Sequence, residues 1–318
     1  MKIELLENRK LLPRECSSCL DEMPTPVCEI AGAPAVLGVS NNASVEEDRV
    51  IDFYVYVCPH CGLIQTDAEF DPDWYGEVHS HGVGGIWTEH RRELIAFARS
   101  AISERGAGVS RALEIGPSVN PIAKGLALDG TEIYYLDLMS EPPFDLGPNE
   151  TYISGVFPSD ETRGPFDLVI ASHVLEHTEV VSEFSRQVRD RLSADGIAVL
   201  STPNFRVWLG EKYWNAITSE HLNYPYVEHL TDLSNRLDMD ATIGYFKEHS
   251  VFISLRRRRA KLDETHPVSK AVRRECGWAL TDWVLEVSSS VQRYEEAIGS
   301  DPGPVLLAGA SHLSQYIY

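Results

Sequence analysis

Two cysteine pairs near the start constrain this chain more than anything else in it. Cys16-Ser17-Ser18-Cys19 is followed by Cys58-Pro59-His60-Cys61, each a Cys-x2-Cys. Two thiolates at that spacing hold one ion from a tight turn, and two such turns complete the four-sulfur shell of a structural Zn2+ site. Cys16, Cys19, Cys58 and Cys61 are therefore the predicted ligands. Cys28 and Cys276 are isolated, and a disulfide framework is the weaker reading. Residues 1–70 show too few apolar side chains for a free-standing core, so a metal is expected to supply the missing folding energy. Within them Val50 to Val57 alternates as a strand running into the second pair. The stretch 29–49, with Gly32, Pro34 and Asn41-Asn42, reads as a loop.

After residue 70 the pattern changes twice. Residues 71–85 are turn-rich, and His79, His81 and His90 fall in or near them. A helix is expected from about Ile86 to Glu104, broken by Gly106 and Gly108. From Arg111 strands and helices alternate: strands at Arg111–Ile115, Glu132–Leu138, Tyr152–Ser154, Phe166–Ala171 and Ile197–Ser201, helices at Asn120–Leu128, Val180–Leu192 and Val227–Leu237. Ala241–Phe246 and Val251–Arg256 read as two closing strands. Alternation of this kind predicts an α/β fold with a doubly wound, Rossmann-like, mostly parallel sheet. Residues 268–299 read as a long helix, and Pro304–Ala308 with Gly309-Ala310-Ser311 as the opening of a further, partial α/β segment. The expected domains are a zinc module at 1–70, a linker and helix at 71–108, a cofactor-binding domain at 109–258, and the helix with the partial segment at 259–318.

Size and charge narrow the partners. The chain has 318 residues, 43% of them hydrophobic, which is enough for a full core. No stretch approaches the roughly 18–20 apolar residues of a membrane span, and the N-terminus lacks an apolar signal core. A cytoplasmic protein without a membrane partner is expected. A formal net charge of −20 repels phosphate backbones, so nucleic acid is not an expected partner. The basic run Arg256 to Arg259 reads as a solvated strand end, or as an anion contact.

Ligands of open α/β sheets bind at the carboxyl ends of the strands. Glu114-Ile115-Gly116-Pro117-Ser118 takes a strand through one glycine towards a helix. A single glycine does not match the dinucleotide Gly-x-Gly-x-x-Gly turn. It suits a ligand with a small leading part, such as the amino-acid end of S-adenosylmethionine, and a plain strand–helix turn fits equally. Asp137 ends the next strand, where a carboxylate can accept hydrogen bonds from ribose hydroxyls, or cap a loop. Ser172-His173-Val174-Leu175-Glu176-His177 follows the fourth main strand and places His173 beside the expected cofactor cleft. His177 there can orient a substrate, move a proton or simply pack. Outside the sheet pattern, Glu220-His221 sets a carboxylate beside an imidazole. Adjacent strand residues point apart, so such a pair needs a turn to act together.

Taken in order, these pieces resemble the class I S-adenosylmethionine-dependent methyltransferases. More narrowly, they resemble the sugar C-methyltransferases that carry an N-terminal zinc module. The matching pieces are Cys16-x2-Cys19, Cys58-x2-Cys61-Gly62-Leu63-Ile64-Gln65 and the turn at Glu114–Gly116. They continue with Phe166-Asp167-Leu168-Val169-Ile170, Val174-Leu175-Glu176-His177, Leu192-x3-Gly196, Thr202-Pro203-Asn204 and Glu220-His221. The resemblance spans residues 14–258. It implies a structural zinc and methylation of a carbon next to the keto group of a nucleotide-linked deoxysugar. It also implies that His221 and Glu220 take the proton from that carbon, leaving an enolate to attack the sulfonium methyl. The group has Tyr-His before its Glu-His, and the chain departs from it with Thr218 and Ser219 in those places. It departs again at Val78–Gly82, where no tyrosine stands and His79 or His81 is the possible substitute. The group's C-terminal domain is expected to be cut short after Ser311.

The leading expectation is S-adenosylmethionine-dependent methyl transfer to a nucleotide sugar or similar small polar metabolite, at carbon. The alternatives are an O- or N-methyltransferase, a non-catalytic cofactor- or sugar-binding protein on the same fold, and a nicotinamide-dependent oxidoreductase supported only by the strand–helix pattern.

Overall fold

The computed structural model describes residues 2–6, 14–23, 25–35, 50–69, 84–259 and 267–298. The turn-rich stretch with His79 and His81, residues 36–49, and the expected Pro304–Ala308 strand with Gly309-Ala310-Ser311 lie outside them. The chain divides into two units. Unit 1 is Met1–Ser80, Phe205–Pro225 and Val268–Tyr318; unit 2 is His81–Asn204 and Tyr226–Pro267. The boundaries expected at 70, 108 and 258 differ from this division. Unit 1 takes in a segment from the middle of the chain that no composition change marks.

Unit 1 contains strands β1 (Lys2–Leu5), β2 (Arg14–Glu15), β3 (Glu22–Met23), β4 (Cys28–Pro34), β5 (Val50–Val57) and β6 (Ile64–Thr66). Strand β12 (Asn223–Tyr224) completes an antiparallel sheet of order β1-β4-β5-β6-β12, while β2 and β3 pair as a separate hairpin. The loop expected from residue 29 is therefore a strand as far as Pro34. Gly32 has a φ of 66° at the point where the β4–β5 register shifts, so the glycine makes a bulge and the strand continues past it. The apolar deficit of residues 1–70 is met from elsewhere in the unit. Ile3, Ile30, Phe53, Val55, Leu63 and Ile64 are buried, and so are Phe205 and Leu209 of helix α4 (Phe205–Gly210) and Leu280, Trp283, Val284 and Val287 of helix α6 (Lys270–Ile298). The Trp283 indole donates to the Tyr213 carbonyl at 2.6 Å, and the Ser288 hydroxyl to that of Ile3 at 2.9 Å.

Unit 2 holds helix α1 (Gly85–Arg105), β7 (Arg111–Ile115), α2 (Ile122–Leu126), β8 (Glu132–Asp137) and β9 (Glu150–Ser154). They are followed by β10 (Phe166–Ser172), α3 (Val181–Arg191), β11 (Leu192–Pro203), α5 (Val227–Arg236), β13 (Met239–Phe246) and β14 (Ser250–Arg257). The sheet order is β13-β14-β11-β10-β7-β8-β9. Strands β11, β10, β7, β8 and β9 run parallel, and β14 lies antiparallel to β11 and β13, so the sheet is mixed. Side chains alternate along β10: Val169 and Ala171 join one core, Leu168 and Ile170 the other. A strand buried on both faces reads as the unbroken apolar run that it is. Helix α3 covers one face because Val181, Phe184, Ser185 and Val188 recur at helical spacing. Helix α1 does the same on the other with Leu94, Ala98 and Ala101. Strand order reverses between β7 and β10, which places the crevice of an open sheet at their carboxyl ends. Among the described residues no helix is long and apolar enough to cross a membrane.

The basic run is occupied within unit 2. Arg256 pairs with Glu104, Arg257 donates to the Arg189 carbonyl, Arg258 pairs with Asp240, and Arg259 lies 3.6 Å from Asp195. These partners fit the strand-end reading of the run.

Candidate functional site

In unit 1 the four paired cysteines converge. Their sulfurs lie within 4.8 Å of one another, with Cys16–Cys61 at 3.6 Å and Cys19–Cys58 at 3.5 Å, and none is in a disulfide. A tetrahedron with Zn–S bonds of about 2.3 Å has edges of about 3.8 Å, so the cluster is within a few tenths of an ångström of that shell. The two pairs are built alike. Leu20 donates back to the Cys16 carbonyl at 2.9 Å and Gly62 to that of Cys58 at 2.8 Å. Both residues have a positive φ, 64° and 83°. A Cβ on Gly62 would meet the Arg273 Cα at 2.7 Å, which explains the glycine after the second pair. Amide donors reach the sulfurs: the Cys61 N–H to Cys58 Sγ and the Gln65 Nε2 to Cys16 Sγ, both at 3.4 Å. Four soft sulfurs, flanked by N–H groups that disperse thiolate charge, fit a tetrahedral Zn2+.

In unit 2 the predicted cofactor residues gather at the ends of β7, β8 and β10. Gly116 has a φ of 66° and donates to the Leu136 carbonyl; a Cβ there would lie 2.8 Å from Val174 Cγ2. Ser118, also left-handed at φ 50°, donates its N–H to Asp137 Oδ2 at 3.1 Å, and Met139 donates to Oδ1 at 3.2 Å. Asp137 is thus tied into the glycine turn and remains half-buried at the strand end. Glu114 is buried. Its two oxygens accept the Ile122 and Ala123 N–H groups at 2.7 and 2.9 Å, so it holds the first turn of α2 from inside the fold. Burial pushes its carboxyl up to about 7, against the pull of those two amides. His173, with φ 54°, is the third left-handed residue in the cluster. Left-handed non-glycine backbone costs free energy and gathers at ligand sites.

His173 does not stand alone. Its Nε2 lies 3.0 Å from the Ser250 hydroxyl, and that hydroxyl lies 2.7 Å from His249 Nδ1. Trp87 meets His173, His249 and His90 edge-on at ring separations of 4.9, 5.0 and 5.5 Å. Glu176 Oε1 is 3.0 Å from His173 Nδ1. Burial lowers His173 to about 3, His249 to about 4 and His90 to about 2, so all three rings are neutral near pH 7. Burial pushes Glu176 up to about 7. The sequence reading missed Trp87, His249 and Ser250, and noted His90 only for its neighbourhood. The one available sign was a histidine in the turn between two predicted strands, a turn that β14's antiparallel course carries to the carboxyl edge.

The three predicted catalytic residues divide between the units. His177 closes the short 3-10 turn Leu175–His177 in unit 2, half-buried. Glu220 and His221 belong to unit 1. The turn that this pair requires is present: the His221 N–H lies 3.3 Å from Thr218 Oγ1, and the Tyr224 hydroxyl is 3.1 and 2.9 Å from the Thr218 and His221 carbonyls. Glu220 is buried, and the His221 ring lies against Phe205 at 5.6 Å.

A family model described as a methyltransferase domain matches residues 87–240, from the first turn of α1 into β13. No curated protein matches the sequence. Solved structures similar to this chain include the 1,6-didemethyltoxoflavin-N1-methyltransferase of Burkholderia thailandensis, with bound 1,6-didemethyltoxoflavin and S-adenosylhomocysteine (13% identity, TM-score 0.46, covering 64% of this chain and 98% of that one). Others are the N-methyltransferase NodS of Bradyrhizobium japonicum WM9 in complex with S-adenosylhomocysteine (15%, 0.40, 55% and 88%) and the magnesium protoporphyrin IX methyltransferase of Synechocystis PCC 6803, also with S-adenosylhomocysteine (15%, 0.42, 56% and 90%).

Proposed function

From the premise that residues 87–240 form an S-adenosylmethionine-dependent methyltransferase domain, we propose that the protein methylates a nucleotide-activated sugar or a similar small polar metabolite, at carbon. Bound S-adenosylmethionine supplies a methyl group on a sulfonium. Gly116 lets the backbone approach its amino-acid end, and Asp137 accepts hydrogen bonds from its ribose. The observation that supports this cofactor seat is the tie between Ser118 and Asp137, which sets the glycine turn and the acidic strand end in one arrangement. His173 stands at the neighbouring strand end, held by Ser250. At the acceptor, His221 takes the proton from the carbon beside a keto group, with Glu220 next to it in the same turn. A Zn2+ on Cys16, Cys19, Cys58 and Cys61 is structural. Four thiolates that are not in disulfides suit a reducing compartment, which supports a cytoplasmic location.

A second reading is methyl transfer to oxygen or nitrogen with His177 as the base. The observation that favours it is that His177 shares unit 2 with the crevice. Calorimetric titration with S-adenosylmethionine and, separately, NAD tests the cofactor; tight NAD binding without S-adenosylmethionine binding would sink the proposal. Incubation of nucleotide sugars with S-adenosylmethionine carrying a 13C methyl then reads the acceptor atom from the product's carbon spectrum. Replacing His221 with Ala is expected to abolish C-methylation while the cofactor still binds. Full activity in that variant, with loss in His177→Ala, would favour the second reading. Binding without turnover of any acceptor would favour a non-catalytic protein.

A further inference from the structure

Strand β6 runs between the cysteine cluster and the chain after Glu220-His221, and one of its side chains, Gln65, ties the two cysteine pairs together. The strand leaves the second cysteine pair directly, with Gln65 four residues after Cys61. Gln65 is buried. Its Oε1 accepts the Ser17 N–H at 2.8 Å, and its Nε2 donates to Cys16 Sγ at 3.4 Å and lies 3.0 Å from Met23 Sδ. A residue carried by the second pair therefore grips the first pair and its hairpin. The chain that follows Glu220-His221 lies along β6. Asn223 is the register partner of Gln65 and Tyr224 that of Ile64. Thr66 donates its N–H to the Leu222 carbonyl at 3.0 Å and its hydroxyl to the His221 carbonyl at 2.9 Å. The Ser17 hydroxyl, inside the first Cys-x2-Cys, donates to the Asn223 side chain. Both cysteine pairs thus hold the segment, the second through β6 and the first through Ser17, and Gln65 ties the two together.

We infer that the metal centre sets the position of the Glu220-His221 segment, and that Gln65 is the positioning residue that transmits it. An ion bound by all four thiolates fixes the two pairs relative to each other. Gln65 then has one place in which to satisfy both of its hydrogen-bonding ends, and the register of β6 against β12 follows from it. Without the ion the four sulfurs lose their common centre and Gln65 loses the fixed partner at Cys16, so the bonds of Gln65 and Ser17 that brace the pairing of β6 with β12 weaken together. Short two-strand pairing is marginal by itself. The role of His221 as base rests on the function proposed above; the coupling of the segment to the metal does not.

Hydrogen–deuterium exchange on the full-length protein tests this without reference to turnover. Three samples are compared: wild type loaded with Zn2+, wild type after chelation under reducing conditions, and Gln65→Leu loaded with Zn2+, with the bound metal counted by native mass spectrometry. Chelation is expected to speed exchange at Thr66 and across 221–224 by about tenfold or more, leaving β1, β4 and β5 protected. Gln65→Leu keeps four thiolates, so it should retain the metal and show the same local increase. Affinity for S-adenosylmethionine should stay within about twofold, while turnover falls in kcat. Failure of the wild type to take up Zn2+ would overturn the inference. So would unchanged protection at 221–224 after chelation, an equal rise across β1, β4 and β5, or a metal-loaded Gln65→Leu that exchanges like wild type. If Gln65→Leu fails to fold, the chelation arm decides alone. Loss of turnover in His221→Ala with intact coupling would support the proposed base, and retained turnover would remove the base role while leaving the coupling standing.

Discussion

Gly116 shows how much a single residue can be asked to do. Its backbone is left-handed and a methyl group there would press on Val174. Replacement by Ala should cost roughly 1–3 kcal/mol of stability and weaken S-adenosylmethionine binding, read by thermal melting and calorimetry on the same sample. A variant that melts and binds like wild type would show that the turn is not the cofactor's seat. Asp137→Ala removes a carboxylate that accepts two N–H groups and, in the proposed cofactor site, the ribose hydroxyls. A charge-assisted hydrogen bond is worth about 1.5–3 kcal/mol, so affinity should fall by about tenfold or more. Unchanged affinity would remove Asp137 from the cofactor site. The places of Gly116 and Asp137 at strand ends were legible because each ends a local pattern of strand followed by turn. Ser250, His249 and Trp87 were not, because what they do depends on a partner far along the chain. The buried role of Glu114 was likewise invisible: a carboxylate at a strand end looks the same whether it faces a ligand or the amides of the next helix.

At the scale of elements, the parallel strands of unit 2 lie close to where periodicity and turn residues put them, since an apolar run between glycine or proline turns is a local signal. The departures have local causes. Strand β4 was hidden by Gly32 and Pro34, which a bulge and a strand end absorb. Helix α4 is six residues long, too short to show a period. Strand β11 begins at Leu192, where α3 ends without a loop, and not at Ile197. The cysteine pairs were the clearest reading of all, because each pair is a complete local instruction. Cys58→Ser leaves three thiolates. Its Zn2+ affinity should drop by about 100-fold or more, measured by transfer to a coloured chelator, and unit 1 should melt earlier. A variant that holds Zn2+ as tightly as wild type would refute the site.

The whole molecule should carry a pH signature set by buried groups of unit 2. His90, His173 and His249 are held below their ordinary 6.5 by burial, so the unfolded chain binds more protons than the folded one once pH falls below 6.5. Their stabilising contribution is present in full above that value and is lost as pH falls from 6.5 through about 4 for His249, about 3 for His173 and about 2 for His90. Glu114 and Glu176 act in the opposite sense. Raised by burial from 4.5 to about 7, they stabilise the fold below 4.5 and lose that contribution as pH rises through 7. Three groups against two give a stability maximum at about pH 6.5 and the steepest loss below about 4.5, with about 1.4 kcal/mol per proton for each pH unit. A melting temperature that is flat between pH 4 and 7 would show that these side chains are hydrated in the folded state.

Unit 1 draws on three stretches that leave the ribosome at very different moments. All four clustered cysteines have been made by residue 61, whereas Asn223, which pairs with Gln65, follows more than 150 residues later, and α6 later still. Domains tend to fold as they are synthesised. A nascent chain that takes up the proposed Zn2+ can therefore capture it first, and must then keep the open edge of β6 from pairing with a stranger until its own strand arrives. The ion, on this view, is also a timekeeper: it preserves a docking edge through the synthesis of nearly half the protein.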